Sequence, residues 1–461
     1  MTTGRSLDST ILREYDIRGI VGDRFGADDV RAIGRAFGSL LAEADGRTVA
    51  VGYDGRLTSP ELESALVDGL AACGLTVFRV GRGPSPMLYY ATCELNADAG
   101  LMITGSHNPP EYNGIKMSFK GAAFFGDDIR ILGERVESGR FVTGTGRIEK
   151  RDVFDDYISR MRQDYRGTRP LKVAWDPANG AAGEATAQLV RQLPGEHFTI
   201  NTDIDGRFPA HHPDPTVEKN LDQLKELVAR HGCDLGIGFD GDGDRIGVID
   251  SRGRVIWGDQ LLVILAREVL AELPGAPIVA DVKASQVFFD EIRRMGGQPV
   301  LWKAGHSHIK SKMKELDAPL AGEMSAHIFF KHRYYGFDDA LYAAVRLLSV
   351  IASGADDLCD IYDSLPKMFN TPELRIDCPE GRKFDVVNEV RERLTGDPDS
   401  TVNDIDGVRV TTDAGWWLLR ASNTQAALVA RCEAGDPGNL NRLKNSLRTQ
   451  LELSGIPVPA F

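Results

Sequence analysis

One pattern recurs three times along the chain and limits what it can fold into. Each copy reads as an apolar strand, a helix-period segment, a second strand, a second helix, and a third strand that runs into a polar loop. The first copy runs from RTVAVGYDGR to AGLMITGSHNPP (47–110), the second from LKVAWDPANG to CDLGIGFDGDGDR (171–245), and the third from APIVADVKAS to APLAGEMSAHIFF (276–330). Strands alternating with helices of about 10 to 15 residues predict α/β layers with at least partly parallel sheets. From about Thr371 the pattern changes. A strand (ELRID), a helix (FDVVNEVRERL), hairpin-like strands through VRVTTDAGWWLLRASNT and a closing helix (LNRLKNSLRTQLELSG) predict a smaller α+β domain.

In such sheets ligands gather at the carboxyl ends of the strands. The loops after the third strands hold Ser106, then Asp240, Asp242 and Asp244, then Glu323 with Ser325. If three similar domains turn those edges toward one cleft, these loops meet there. Composition narrows what the cleft accepts. Lys plus Arg number 54 against 67 Asp plus Glu, a net charge of −13, with no basic run to offset it. Broad binding to nucleic acid or an anionic membrane is disfavoured, and an anionic small molecule would need a local cluster of Arg and Lys. The six cysteines form no C-x-x-C pair and read as reduced structural thiols. MTTGRSLDST lacks an apolar signal core, and no apolar run of about 18 residues occurs, so the cytoplasm is the expected location.

In Thr104-Gly105-Ser106-His107-Asn108-Pro109-Pro110, Gly, Asn and two prolines fix a loop that presents a serine, as a nucleophile or as the surface residue of a rigid turn. It is not a G-x-S-x-G elbow, because Gly105 adjoins Ser106 and residue 108 is Asn. In Asp240-Gly241-Asp242-Gly243-Asp244-Arg245, three mutually repelling carboxylates alternate with glycines that let the backbone curl them toward one point. A hard divalent cation relieves that repulsion, and three protein carboxylates leave positions open for a phosphoryl oxygen, as Mg²⁺ prefers. A solvated acidic turn is the alternative. Arg245 and Ser251 stand where an EF-hand needs Gly and Glu. Gly236-Ile237-Gly238-Phe239-Asp240-Gly241 matches the dinucleotide fingerprint but lies within and after a strand that leads to another strand, so it is a decoy.

Glu323 and Ser325, two apart in an extended segment, share a face and could grip adjacent sugar hydroxyls, or simply end a strand. Arg420-Ala421-Ser422-Asn423-Thr424 offers a guanidinium, hydroxyls, an amide and turn N–H groups suited to phosphate, or a polar hairpin loop. Lys116, Arg18, Lys283, His306 and His308 join the candidates through their placement near strand ends.

TGSHNPPEYNGIK, GFDGDGDR, GEMSAH and RASNT occur in the order found in the α-D-phosphohexomutase superfamily, and the resemblance spans essentially the whole chain. With YDIRG, DVKAS and WKAGHSHIK, the chain looks most like the bacterial bifunctional phosphomannomutase/phosphoglucomutase branch. The resemblance implies three similar α/β/α domains with mixed sheets and a smaller C-terminal α+β domain around a central cleft, at 1–152, 153–256, 257–368 and 369–461. It implies reversible phosphoryl transfer between the 1- and 6-positions of mannose and glucose phosphates, through a phosphoserine at Ser106 and glucose or mannose 1,6-bisphosphate. Asp240, Asp242 and Asp244 would hold Mg²⁺ with a phosphoserine oxygen, Lys116 and His306 would move protons, and Arg18 and Arg245 would support the site. Glu323 and Ser325 would hold sugar hydroxyls; Arg420, Ser422, Asn423 and Thr424 would hold the remote phosphate; Tyr15, His107, Lys283 and His327 would also touch substrate. A monomer acting on small sugar phosphates is expected, with phosphoglucosamine mutase and a metal-dependent sugar phosphatase as alternatives. Ala326 stands where the motif commonly has Gly, and Gln425-Ala426 replaces the usual pair after RASNT.

Overall fold

The computed structural model describes residues 5–422 and 426–457. The threefold pattern becomes three sheets with one shared strand order. In each, the copy's first strand lies between its second and third, parallel to both, and an antiparallel strand flanks the third.

In the first sheet these strands are Thr48–Tyr53, Thr76–Arg82 and Ala99–Ile103, flanked by Tyr112–Phe119. In the second they are Leu171–Asp176, Gly195–Thr199 and Leu235–Phe239, flanked by Ile246–Asp250. In the third they are Pro277–Asp281, Gln298–Trp302 and Leu320–Gly322, flanked by Ile328–Phe330. Mixed sheets result because the flanking strand needs only a short turn, whereas each parallel neighbour needs a helical crossover. The first sheet gains Ile17–Ile20, from the YDIRG motif, paired antiparallel with Tyr112–Phe119.

Local signals agree with the helices. Ser285 accepts from Val287 N at the start of Gln286–Arg294, and Asp339 accepts from Tyr342 N at the start of Ala340–Ser353. The last sheet is antiparallel, with Ala427–Ala434 and Gly415–Ala421 at its centre under the helix Pro437–Leu453.

The core adds a shared layer to the separate domain interiors. One continuous apolar cluster joins Met87, Tyr90 and Met102 of the first copy to Val173, Trp175 and Leu235 of the second and to Phe288, Leu320 and Phe330 of the third. The last domain has its own core around Trp417, Leu428 and Leu447. It meets the third through a small cluster, Val282, Ala304, Trp416 and Leu418, and through polar contacts such as Arg409 Nη1 donating to Val282 O at 2.7 Å and Ala284 O at 2.8 Å. Beside this shared layer the first domain keeps a core of its own around Phe37, Val51 and Leu66, and the second and third keep smaller clusters around Leu224 and Ile309; the fourth leans on them through a mostly polar seam.

Candidate active site

Strand Ala99–Ile103 delivers the loop that carries Ser106, whose φ of +48° is left-handed. A non-glycine residue holds that conformation at a cost of about 1–3 kcal/mol unless its surroundings fix it. They do so here through Arg56, a fully buried guanidinium. It donates to the carbonyls of Ser106 (2.8 Å), Asn108 (2.6 Å), Pro109 (2.6 Å) and Tyr112 (2.9 Å). Its Nε lies 3.2 Å from Asp54, which also accepts from Gly105 N at 3.0 Å. Gly105 is required because a Cβ there would sit 2.3 Å from Arg56 Nε. Arg18 Nη1 donates to Gly105 O at 2.7 Å and Asn108 Oδ1 at 2.6 Å, closing the loop from the other side.

The acidic loop follows strand Leu235–Phe239, and Gly243 turns it at φ +75°. All three carboxylates are buried. Asp240 accepts from the amides of Asp244 and Arg245 on one oxygen, at 3.1 Å each, and from Ser106 Oγ on the other at 3.1 Å. Lys116 Nζ donates to Asp242 at 2.7 Å and also to Asp244. Burial, with Asp244 and Asp242 beside it, pushes the Asp240 carboxyl well above its ordinary range. Burial acts the same way on Asp242, but Lys116 and the Ser85 hydroxyl outweigh it and hold that carboxyl low. The Lys116 ammonium is held well above its ordinary range by Asp242 and Asp244 despite its burial. Among the described residues Asp242 Oδ1 and Asp244 Oδ1 have no hydrogen-bond partner, and ligand oxygens of the three acids lie within 4.8 Å of one another. Buried, unpaired, converging oxygens fit a hard divalent cation.

Beside these loops lies a cavity of about 700 Å³. Tyr15 and His107 line it from the first domain, Arg245 from the second, Lys283, His306, Glu323, Ser325 and His327 from the third, and Arg420 and Ser422 from the fourth. Asn423 and Thr424 lie outside the described residues. Ser106 Oγ is 3.2 Å from Nδ1 of His107, which burial and then Arg245 push well below its ordinary pKa. Burial and Lys310 do the same to His306, leaving it neutral near pH 7. Arg245 Nε donates to His327 Nε2 at 3.0 Å. Lys283 Nζ donates to Glu373 at 3.2 Å across the seam to the fourth domain. Asp406 accepts from both Arg420 Nε (3.1 Å) and Ala304 N (3.0 Å), and Tyr15 donates to Ala304 O at 3.0 Å. Tyr15, Ala304, Asp406 and Arg420 thus link three domains across the cleft.

One expectation is corrected. Glu323 and Ser325 are not two apart on an extended strand, because Leu320–Gly322 ends first and Ala326 N closes a tight turn onto Glu323 O at 2.9 Å. Ala326 sits at φ +71°, a left-handed position that explains a preference for Gly there. The turn still brings both side chains to the cavity.

Sequence reasoning missed Arg56 and Asp54, though a signal was present. The first strand of every copy ends in, or is followed at once by, a buried Asp: Asp54, Asp176 and Asp281. Asp54 accepts from Gly105 N, and Asp281 accepts from Met324 N at 3.3 Å, each amide lying two residues past its third strand.

The four domain models of phosphoglucomutase/phosphomannomutase match in order: α/β/α domains I, II and III at 9–142, 155–253 and 257–369, and the C-terminal domain at 373–450. The phosphomannomutase/phosphoglucomutase of Pseudomonas aeruginosa is 43% identical over 463 residues, covering 100% of both chains. A phosphoglucomutase of Neisseria meningitidis serogroup A is 40% identical over 445 residues, 96% of each. A solved phosphoglucomutase/phosphomannomutase family protein from Burkholderia thailandensis superposes with a TM-score of 0.94 at 42% identity, covering 98% of this chain and 100% of that one.

Proposed function

The chain belongs to the phosphoglucomutase/phosphomannomutase family, and on that premise we propose that it moves a phosphoryl group reversibly between O1 and O6 of glucose and mannose phosphates, through phosphoserine 106 and a hexose 1,6-bisphosphate. One arrangement carries this. A serine in a pinned left-handed loop faces a buried acidic triad, beside a cavity that all four domains line. Serine hydroxyls are weak nucleophiles. Storing the phosphoryl group on Ser106 avoids activating one in every cycle.

Mg²⁺ held by Asp240, Asp242, Asp244 and a phosphoserine oxygen would offset negative charge on the group in transfer. Arg18 and Arg245 support the site with fixed positive charge beside the Ser106 loop and the acidic loop. Lys116 is an ammonium and so can give a proton to Ser106 Oγ as that oxygen leaves. A neutral imidazole at the cavity wall, His306, takes the proton of the sugar hydroxyl, and the freed electron pair forms the new O–P bond. General acid–base help of this kind is worth roughly 10²- to 10⁴-fold. Glu323 and Ser325 hold sugar hydroxyls, while Tyr15, His107 and Lys283 complete the walls. Arg420 and Ser422, with Asn423 and Thr424, hold the phosphate that is not reacting. The bisphosphate then turns end for end and returns its other phosphate to Ser106.

The cleft is complete within one chain, which suits a monomer acting on soluble sugar phosphates in the cytoplasm. The test is ³¹P NMR of turnover with glucose, mannose and glucosamine 1-phosphates, for the protein and for Ser106→Ala. Equal turnover by Ser106→Ala refutes the phosphoserine route. Preference for glucosamine 1-phosphate would make it a phosphoglucosamine mutase, and free phosphate exceeding 6-phosphate would make it a phosphatase.

A further inference from the structure

One carboxylate of the acidic triad is held from outside its own domain. Asp242 belongs to the second domain and is 0% exposed. Its Oδ2 accepts from three groups of the first domain: Ser85 Oγ at 2.5 Å, Lys116 Nζ at 2.7 Å and Thr104 Oγ1 at 3.2 Å. Its backbone carbonyl accepts from Ser85 N at 2.8 Å, so Ser85 grips the residue at two points. The two loops are in close contact there, because a Cβ at Gly243 would lie 2.9 Å from that of Pro84. Asp242 Oδ1, by contrast, has no hydrogen-bond partner among the described residues.

Ser85 opens helix Ser85–Glu94 and Thr104 follows strand Ala99–Ile103, and both are 0% exposed. The transfer chemistry above uses neither hydroxyl. Each has one hydrogen to give. The Ser106 amide only donates, so Thr104 Oγ1 accepts from it at 2.8 Å and directs its own hydrogen to Asp242. Thr104 thereby ties the backbone of Ser106 to the acidic loop of the next domain. A carboxylate oxygen offers about two lone pairs. With three donors on Oδ2, the oxygen left for a cation is Oδ1.

We propose that Ser85 and Thr104 are positioning residues that turn Asp242 so that Oδ1 alone meets the divalent cation, and that they thereby favour a small six-coordinate ion over a larger one. The inference rests on the cation site of the function proposed above. Mg²⁺ demands near-ideal octahedral geometry, which a carboxylate binding through both oxygens distorts, whereas Ca²⁺ takes six to eight oxygens and accepts such a carboxylate. Without either hydroxyl, Asp242 is free to swing and offer both oxygens. The six-coordinate ion then loses more than the larger one.

The experiment is calorimetric titration of Mg²⁺ and of Ca²⁺ into the full chain stripped with EDTA, for the wild type and for Ser85→Ala, Thr104→Val and Thr104→Ser. Thr104→Val keeps the side-chain shape and removes the hydroxyl; Thr104→Ser keeps the hydroxyl. In Ser85→Ala and Thr104→Val, Mg²⁺ affinity should fall about tenfold and Ca²⁺ affinity by less than about threefold, while Thr104→Ser stays within about twofold of wild type. Mg²⁺ affinity within about twofold of wild type in both hydroxyl-free variants overturns the proposal, as does an equal loss for the two ions. So does a wild type that binds neither ion. Should the variants fail to fold, a crystal structure of the wild type with Mn²⁺ decides: ligation through Asp242 Oδ1 alone supports the proposal, and ligation through Oδ2 overturns it. None of these measurements involves a sugar. If the affinities behave as expected but the protein does not isomerise hexose phosphates, the mutase reading fails while the hold on Asp242 stands; isomerisation with unchanged affinities removes the hold and leaves the mutase reading.

Discussion

Arg56→Met separates a structural from an incidental role for the buried guanidinium beneath Ser106. The substitution keeps much of the side-chain volume but removes four donors from the carbonyls of Ser106, Asn108, Pro109 and Tyr112, at 2.6–2.9 Å. A buried acceptor left unpaired costs about 1–3 kcal/mol; Pro109 O keeps the Tyr112 amide at 3.1 Å, so the other three sum to roughly 3–9 kcal/mol if nothing relaxes. Asp54 also loses its counter-charge, but it keeps donors from Arg56 N, Ser59 Oγ and Gly105 N. Water entry and loop relaxation recover part of this, and about 4 kcal/mol is the expected net loss. For a domain near 150 residues, that lowers Tm by about 8–16 °C.

Scanning calorimetry of the full chain reads the loss as an earlier first transition, since the multidomain chain need not unfold in one step. Activity should suffer more than affinity. The released loop lets Ser106 leave its left-handed conformation, and a misplacement near 1 Å costs about 100-fold in kcat. KM should stay within about threefold, because Arg420 and Glu323 are untouched. Arg56→Lys, with fewer donors but the same charge, should fall between the two. A first transition within 2 °C of wild type and kcat within twofold would refute the reasoning.

Chelation with EDTA should abolish turnover, and Mg²⁺ should restore it far better than Ca²⁺, whose preference for six to eight oxygens three carboxylates meet poorly; equal rescue would refute this. Ala326→Gly should raise stability by about 1 kcal/mol in urea unfolding, since it relieves a left-handed alanine at φ +71°. Lys283, against the opposing effect of burial, lowers the Glu373 pKa from 4.5 to about 2. A depressed folded-state pKa adds stability that is present above pH 4.5 and lost as pH falls toward 2, so the gap between wild type and Glu373→Gln in denaturant unfolding should close over that range; a constant gap would refute the pairing. A disulfide between Val282→Cys and Leu418→Cys, across the seam to the fourth domain, should cut turnover at least tenfold when oxidised and spare it when reduced, if the last domain must move for the bisphosphate to turn.

The fold was legible because its repeat lies in local periodicity. Strand-helix alternation needs no knowledge of long-range contacts, and the three copies appear with one strand order. The triad was legible because like charges at alternate positions are hard to explain without a partner. The shared core was not, since an apolar residue such as Tyr90 or Trp175 looks the same whether it faces its own sheet or the next domain. Nor was the Glu323–Ala326 turn, because the left-handed backbone falls on Ala326, a residue that does not announce it. Arg56 was hidden for a related reason: a lone arginine after a strand reads as a surface charge, and its four acceptors lie 50 to 56 residues away in sequence.

The recurring aspartate shows how one scaffold supports different chemistry at each cleft edge. At the end of each first strand a buried carboxylate is available to neighbouring N–H groups. In the first and third copies it takes the amide two residues past the third strand, at Gly105 and Met324, and so fixes the loop that follows. With the loop entry held by the scaffold, the residues beyond it are free to differ: Ser106 in one copy, Glu323 and Ser325 in the other. In the second copy Asp176 instead binds Asn201 and His211, and the acidic loop is held by its own Asp240 accepting from Asp244 N and Arg245 N. That loop is consequently braced by one of the carboxylates offered to the metal. Asp240→Asn should therefore disturb both cation affinity and the backbone of the loop, whereas Asp242, which accepts no backbone amide within the loop, should affect affinity with the loop left in place.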